Sequence, residues 1–210
     1  MAEGDTVRKK LEPLKITCTS TACGDGLHCF RQARKSAEGR LVGGKCRDCG
    51  ALLVDFKRVH KRNLKDLEYT FRSLKYELIR HHFWHLEIDQ RAKNYARRKG
   101  KAGIREAAER RIRKAVGPAE PAFDGRQTGT HGNPLFYAQH ATASCCRKCM
   151  EYWHGVEQGR PLSEDEVQYF TALMNMFIVD RFPDLPEHGE KVPPIRRRAS
   201  AKQQELGDSL

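Results

Sequence analysis

Eight cysteines occupy two short stretches, five between Cys18 and Cys49 and three between Cys145 and Cys149, and this grouping constrains the fold more than any other feature. A chain of 210 residues can bury a sizeable core without disulfides. Thiols clustered in this way point instead to metal or thiol chemistry in a reducing cytoplasm. Residues 16–58 alternate glycines, cysteines and short β-prone runs such as Leu52-Leu53-Val54, and could not form a core alone. Zinc supplies the alternative. Cys18 and Cys23 are separated by four residues and Cys46 and Cys49 by two, and two such pairs can close a thiolate tetrahedron around Zn2+, with Gly24 and Gly50 easing the turns. The halves echo each other, Cys23-Gly24 leading into a strand-like run and Cys49-Gly50 into another. On this reading Cys29 is a core thiol and His28 an outside candidate ligand. The bland alternative is four reduced cysteines in a loop-rich segment.

After Lys61 the apolar period changes from two to that of a helix. Leu64, Leu67, Phe71, Leu74 and Leu78 follow i, i+3, i+7 spacing behind Asn63 as N-cap, and the helix is expected to run on to His85. His81 and His85 stand one turn apart and could share a metal, or hydrogen-bond locally; the sequence leaves the role of His81, His82 and His85 open. Asn133-Pro134 starts a helix expected to continue to Gly155, and Ser163 with Glu166 forms a capping box for another, with Val167, Phe170, Leu173, Phe177 and Ile178 inward. The fold class is therefore mainly α: a compact helical domain over 62–184, preceded by a small zinc-ribbon-like β module at 16–58. Residues 1–15 and 187–210 read as disordered tails, the second carrying the basic run Arg196 to Arg198.

The formal charge is +12, and residues 91–114 hold eleven basic and two acidic side chains, or +9. Arg91, Lys93, Arg97, Arg98, Lys99, Lys101 and Arg105 sit beside a predicted break at Lys99-Gly100-Lys101, where cations and free backbone N–H groups could both meet phosphate. The bland reading is a solvated helix face. No apolar run is long enough to span a bilayer, so no membrane role is expected.

A Gly/Pro-rich loop, GPAEPAFDGRQTGTHGNP, precedes the second cysteine group. His140, Cys145, Cys146, Cys149 and His154 could bind a second metal, although a straight helix needs a ligand from elsewhere to enclose one. Alternatively Arg147 and Lys148 could activate a thiolate, or the cysteines could pack as small apolar groups. If the chain is an enzyme, Asp124, Gln127, His140 and Cys146 are its candidate catalytic residues. No phosphate-loop, dinucleotide or nucleophile-elbow motif is present.

The blocks DGRQT, FYAQHATASCCRKCMEYWHGV and GRPLSEDE resemble the bacterial and phage family known as domain of unknown function 4186, over about residues 70–182. The resemblance picks out Asp124, Gly125, Gln127, Thr128, Gln139, His140, Cys145, Cys146, Arg147, Cys149, Trp153, His154 and Gly155. It implies no established reaction, and Gly129 stands where the family carries proline. The cysteine module lies outside it and looks like an added zinc ribbon.

Three functions follow from these readings. A zinc-containing nucleic-acid-binding protein, with DNA ahead of RNA, rests on the basic stretch. A metal- or thiol-dependent enzyme, whether hydrolase, nuclease or base-processing, rests on the DGRQT loop and the His/Cys helix. A protein–protein adaptor would dock through the ribbon.

Overall fold

The computed structural model describes residues 16–31, 44–193 and 195. Among them are seven α-helices: α1 (Phe56–Val59), α2 (Leu67–Leu74), α3 (Leu78–His85), α4 (Gln90–Arg111), α5 (Pro134–Ala141), α6 (Arg147–His154) and α7 (Glu164–Arg181). The main core lies where α3 and α4 meet α5 and α7, around Trp84, Ile104, Ile112, Tyr137, Phe170 and Phe177. No helix among the described residues is long and apolar enough to cross a membrane. The fold is thus mainly helical, as expected.

The expected β module is absent as such: among the described residues there are no strands, only isolated bridges at Ala22–Leu27, Lys45–Leu52 and His28–Glu77. Its backbone folds into tight knuckles, so its cohesion must come from side chains. Nor is it separate from the helical part. Phe30, Val54, Phe56 and Val59 form a second core with Leu74, Trp153 and Cys145, Cys146 and Cys149, bridging the boundary expected between 58 and 62. The Trp153 indole takes the Phe30 and Phe56 rings edge-on, at centroid distances of 5.6 and 5.2 Å.

Three of the expected helices are interrupted. The helix expected from Leu64 to His85 opens at Lys75–Glu77, because His28 docks there: its N–H donates to the Tyr76 carbonyl (2.7 Å) and its carbonyl accepts from Leu78 N–H (2.9 Å). Asn63 caps a short 3-10 turn, Leu64–Asp66, ahead of α2. The helix expected over 134–154 breaks at Thr142–Cys146, where Ala143 adopts φ 54°, and Gly155 closes α6 in the left-handed conformation. The third break is in α4 at Gly100 (φ 65°, ψ 175°), as the glycine predicted.

The α4 break is filled by chain that had read as tail. Lys101 and Ala102 N–H donate to the carbonyls of Pro186 and Glu187, and Glu190 N–H donates to the Arg97 carbonyl. This segment replaces the hydrogen bonds the kinked helix cannot make internally. The backbone donors expected to face phosphate are therefore already satisfied. Residues 1–15 and the run Arg196 to Arg198 lie outside the described residues.

Candidate metal centres

The first centre is made by two knuckles and one docked histidine. In the first knuckle Cys23 opens a 3-10 turn capped by Gly26 at φ 73°, so Gly26 rather than Gly24 takes the strained position. In the second, Gly50 N–H donates to the Cys46 carbonyl (3.0 Å) with Gly50 at φ 74°. Arg47 N–H donates to the Cys29 carbonyl (2.8 Å), and the Thr21 hydroxyl donates to Asp48, which ties the knuckles together. The docking of His28 on the α2–α3 junction turns its ring into the remaining gap.

Donor atoms of Cys23, His28, Cys46 and Cys49 all lie within 4.8 Å of one another. Metal–sulfur bonds of about 2.3 Å and metal–nitrogen bonds of about 2.0 Å on a tetrahedron put ligand sulfurs roughly 3.8 Å apart and nitrogen roughly 3.5 Å from sulfur. Cys23 Sγ and Cys46 Sγ are 3.7 Å apart, and His28 Nδ1 is 3.5 Å from Cys49 Sγ. This cluster could hold a metal ion. Burial pushes the Cys46 thiol up, yet N–H donors of Cys29, Cys49 and Asp48, with His28, bring it down to about 6, so it offers a thiolate at neutral pH. Desolvation and hydrogen bonds to Cys46 and Cys49 push Cys23 up to about 11.

Cys18 does not join this group. Its thiol lies beside that of Cys149, outside the three-sulfur cluster there, and its carbonyl accepts from Cys29 Sγ at 3.4 Å. His28, an outside candidate on sequence, occupies the place expected for Cys18. The C-x4-C spacing misleads here because the two cysteines face opposite ways, one into the knuckle and one toward α6. Cys29 is a buried thiol, as expected.

The second cluster, Cys145, Cys146 and Cys149, is wholly buried, with its three sulfurs within 4.8 Å of one another, and could also hold a metal ion. The break between α5 and α6 makes this possible, because Cys145 and Cys146 leave the helical path and turn toward Cys149 in the first turn of α6. Hydrogen bonds from the Cys145, Cys146 and Cys18 thiols, reinforced by Arg80, hold Cys149 well below the usual thiol range despite its burial. Arg80, fully buried on α3, donates to Cys149 Sγ (3.2 Å), to the Tyr152 hydroxyl (3.0 Å) and to the His140 carbonyl (2.7 Å). Its own charge is balanced by buried Glu77 at 3.0 Å, which also accepts from Tyr152 and Trp153.

Arg80 and Glu77 escaped the sequence reading, which had assigned Arg147 and Lys148 to the thiols. Lys148 is exposed, while Arg147 is buried and donates to the carbonyls of Val116, Pro118 and Glu157. The available signal was two charges in helical phase with Leu74 and Trp84, where apolar residues belong.

The histidines expected near this cluster sit elsewhere. His154 has both nitrogens engaged, with Thr142 O and Tyr169 Oη each at 3.0 Å. His140 stacks on Phe83 and directs Nε2 at the Gly129 carbonyl. Burial, then Arg80, lowers His140 to about 4. Asp124 accepts from Arg147 N–H (3.0 Å) and Gln127 Nε2 (3.2 Å), which fixes the DGRQT loop onto the start of α6. Cys146 is a cluster thiol. Three of the four candidate catalytic residues therefore hold backbone or loop in place. The His81 and His85 rings lie 4.1 Å apart at a tilt, and His85 Nδ1 lies 2.9 Å from the His81 carbonyl, which is the local arrangement.

The basic residues of α4 divide into two sets. Lys93, Arg97 and Arg110, with Arg113 just beyond the helix, form ion pairs with Glu87, Glu190, Glu106, and Glu109 and Glu164 respectively, while Arg111 is taken up by Gln139 and the Gln127 carbonyl. Arg91, Arg98, Lys99 and Arg105 are exposed and, like the half-buried Lys101, have no ion-pair partner among the described residues.

No solved structure matches the chain. The profile of the family described as domain of unknown function DUF4186 matches residues 68–179, more than half the chain and the span that holds the second cysteine cluster and its Arg80–Glu77 support, and the chain belongs to that family.

Proposed function

We propose that the protein is a zinc-containing nucleic-acid-binding protein, with DNA preferred to RNA, in which the first metal centre is structural and α4 carries the contact with phosphate. The observation behind this reading is the row of unpaired cations on α4. Arg91 and Arg98 are two turns apart on one face before the kink, and Lys99 and Lys101 flank it. Zinc fits the first centre because three thiolates and an imidazole at these separations suit a tetrahedral ion, and four protein ligands leave no open position for catalysis. Cations already tied to carboxylates release fewer counterions, so the unpaired ones dominate the salt dependence.

Fluorescence anisotropy on duplex DNA across a salt series tests this. About five phosphate contacts give a slope of log K against log salt near roughly −4.5. Replacing Arg98, Lys99 and Lys101 together with Gln should weaken binding and flatten the slope by about 2 to 3, whereas Arg97→Gln should do less. Affinity and slope unchanged in the triple variant would refute the assignment. An enzyme working at the DGRQT loop has less behind it, since Asp124, Gln127 and His140 are already committed to positioning the loop.

A further inference from the structure

We propose a second tetrahedral zinc site formed by Cys18, Cys145, Cys146 and Cys149, which fastens the amino-terminal segment to the family domain. It goes beyond the first centre and stands without it. The three buried thiols of the second cluster are close enough to share one ion and leave no room between them for a multi-iron cluster. They lack only a fourth donor. Both nitrogens of His154 are engaged and His140 is turned onto Gly129, whereas the Cys18 thiol lies beside Cys149, just outside the spacing the three sulfurs share, so that it must swing inward to complete the tetrahedron. Cys18 is held there from both sides: Ile16 packs on the main core, and Cys29 Sγ bonds the Cys18 carbonyl.

Arg80 is the independent observation: it marks Cys149, the sulfur it reaches most closely, as the anionic member of the set. A fully buried guanidinium is costly unless its protons meet anions, and a neutral thiol is a poor acceptor. Besides Glu77, Arg80 aims at Cys149 (3.2 Å) and more distantly at Cys145 (3.9 Å). One dication with four thiolates carries a net charge of about −2, and a guanidinium in the outer shell offsets part of it, much as hydrogen bonds from second-shell groups tune other zinc sites. When bound, the ion would supply cross-linking rather than chemistry, because all four positions are taken by protein.

Zinc per chain by elemental mass spectrometry, together with X-ray absorption at the zinc edge on the full-length protein, decides the matter. The wild type should hold about two zincs with an average of about 3.5 sulfurs and 0.5 nitrogens each, from one all-sulfur and one three-sulfur, one-nitrogen site. Cys18→Ser should drop to about one zinc with three sulfurs and one nitrogen, and Cys23→Ser to about one zinc with sulfur ligands only. A single zinc in the wild type with three sulfurs and one nitrogen would overturn the proposal and leave the first centre standing. Two zincs averaging three sulfurs and one nitrogen would overturn it as well, by assigning a histidine in place of Cys18. No zinc at all would sink both centres. The wild-type count and sulfur-to-nitrogen ratio suffice even if a variant fails to fold.

Discussion

His154 is sealed in the core, where the neighbouring Tyr169 and Phe170 rings both meet it edge-on. The Thr142 carbonyl can only accept, so Nε2 carries the proton and Nδ1 accepts from the Tyr169 hydroxyl. Desolvation lowers its pKa to about 3; the carbonyl of Thr142 partly opposes this, and the nearby charges of His60, Arg80 and Arg62 add to it. The unfolded chain takes up a proton near pH 6.5 while the folded one refuses it until about pH 3. The folded state thus binds fewer protons in that window, and stability is lost as pH falls, by up to about 1.4 kcal/mol per unit. His154→Gln is expected to be less stable at pH 7 but to show a shallower loss between pH 6.5 and 4, as read from urea midpoints. An equal slope in variant and wild type would show that His154 does not titrate as described. The residues about which the sequence says least are of this buried polar kind. Apart from the Glu77–Arg80 pair itself, His154, Glu77 and Arg80 are specified by partners 12 to 76 positions away, and no local period encodes those partners.

Among the elements, α4 is the one whose behaviour depends on a single backbone position. Gly100 occupies a combination of φ and ψ that essentially only glycine adopts, and a Cβ there would stand 2.4 Å from the His188 carbonyl carbon. Gly100→Ala should destabilise by about 2 kcal/mol or more, from strain plus displacement of the Pro186–Glu190 segment. Gly103, three residues on, is ordinary helix with only the flexible Lys99 side chain near it. Gly103→Ala should stabilise by about 0.5–1 kcal/mol. Thermal or urea unfolding of the pair separates the two, and equal effects would discount the kink as a constraint. Helix existence was legible from periodicity, and so were the Asn63, Ser163 and Gly155 termini and the Gly100 break. The breaks at Lys75–Glu77 and Thr142–Cys146 were not. Neither contains glycine or proline, and the first is imposed by the docking of His28.

At the scale of the whole molecule, the knuckle segment and the helical part share a core but draw their order from different sources. The helical part has a continuous apolar interior; the described residues of the knuckle segment have isolated bridges, four donor atoms and the contact with Trp153. Stripping metal with a strong chelator should therefore loosen the knuckles while most helical circular dichroism remains. Trp153 emission should shift to the red as Phe30 and Phe56 leave it, and Trp153→Phe should abolish most of that shift, leaving Trp84 in the main core. Loss of helix in step with the metal would mean the two parts form one cooperative unit. That the cysteines could gather into metal-capable clusters was legible, but not their partition. Spacing along the chain pairs Cys18 with Cys23, whereas in space Cys18 belongs with Cys149, and only the path of the backbone between them distinguishes these outcomes.

The contact between Cys18 and Cys149 also sets an order of events during synthesis. All ligands of the first centre have left the ribosome once Cys49 emerges, but Cys18 must wait for a partner cluster that starts 96 positions after Cys49. At about 5–20 residues per second that interval is roughly 5 to 20 s. A nascent chain that closed the first centre at once would spend that interval with the Cys18 thiol still lacking its eventual neighbour.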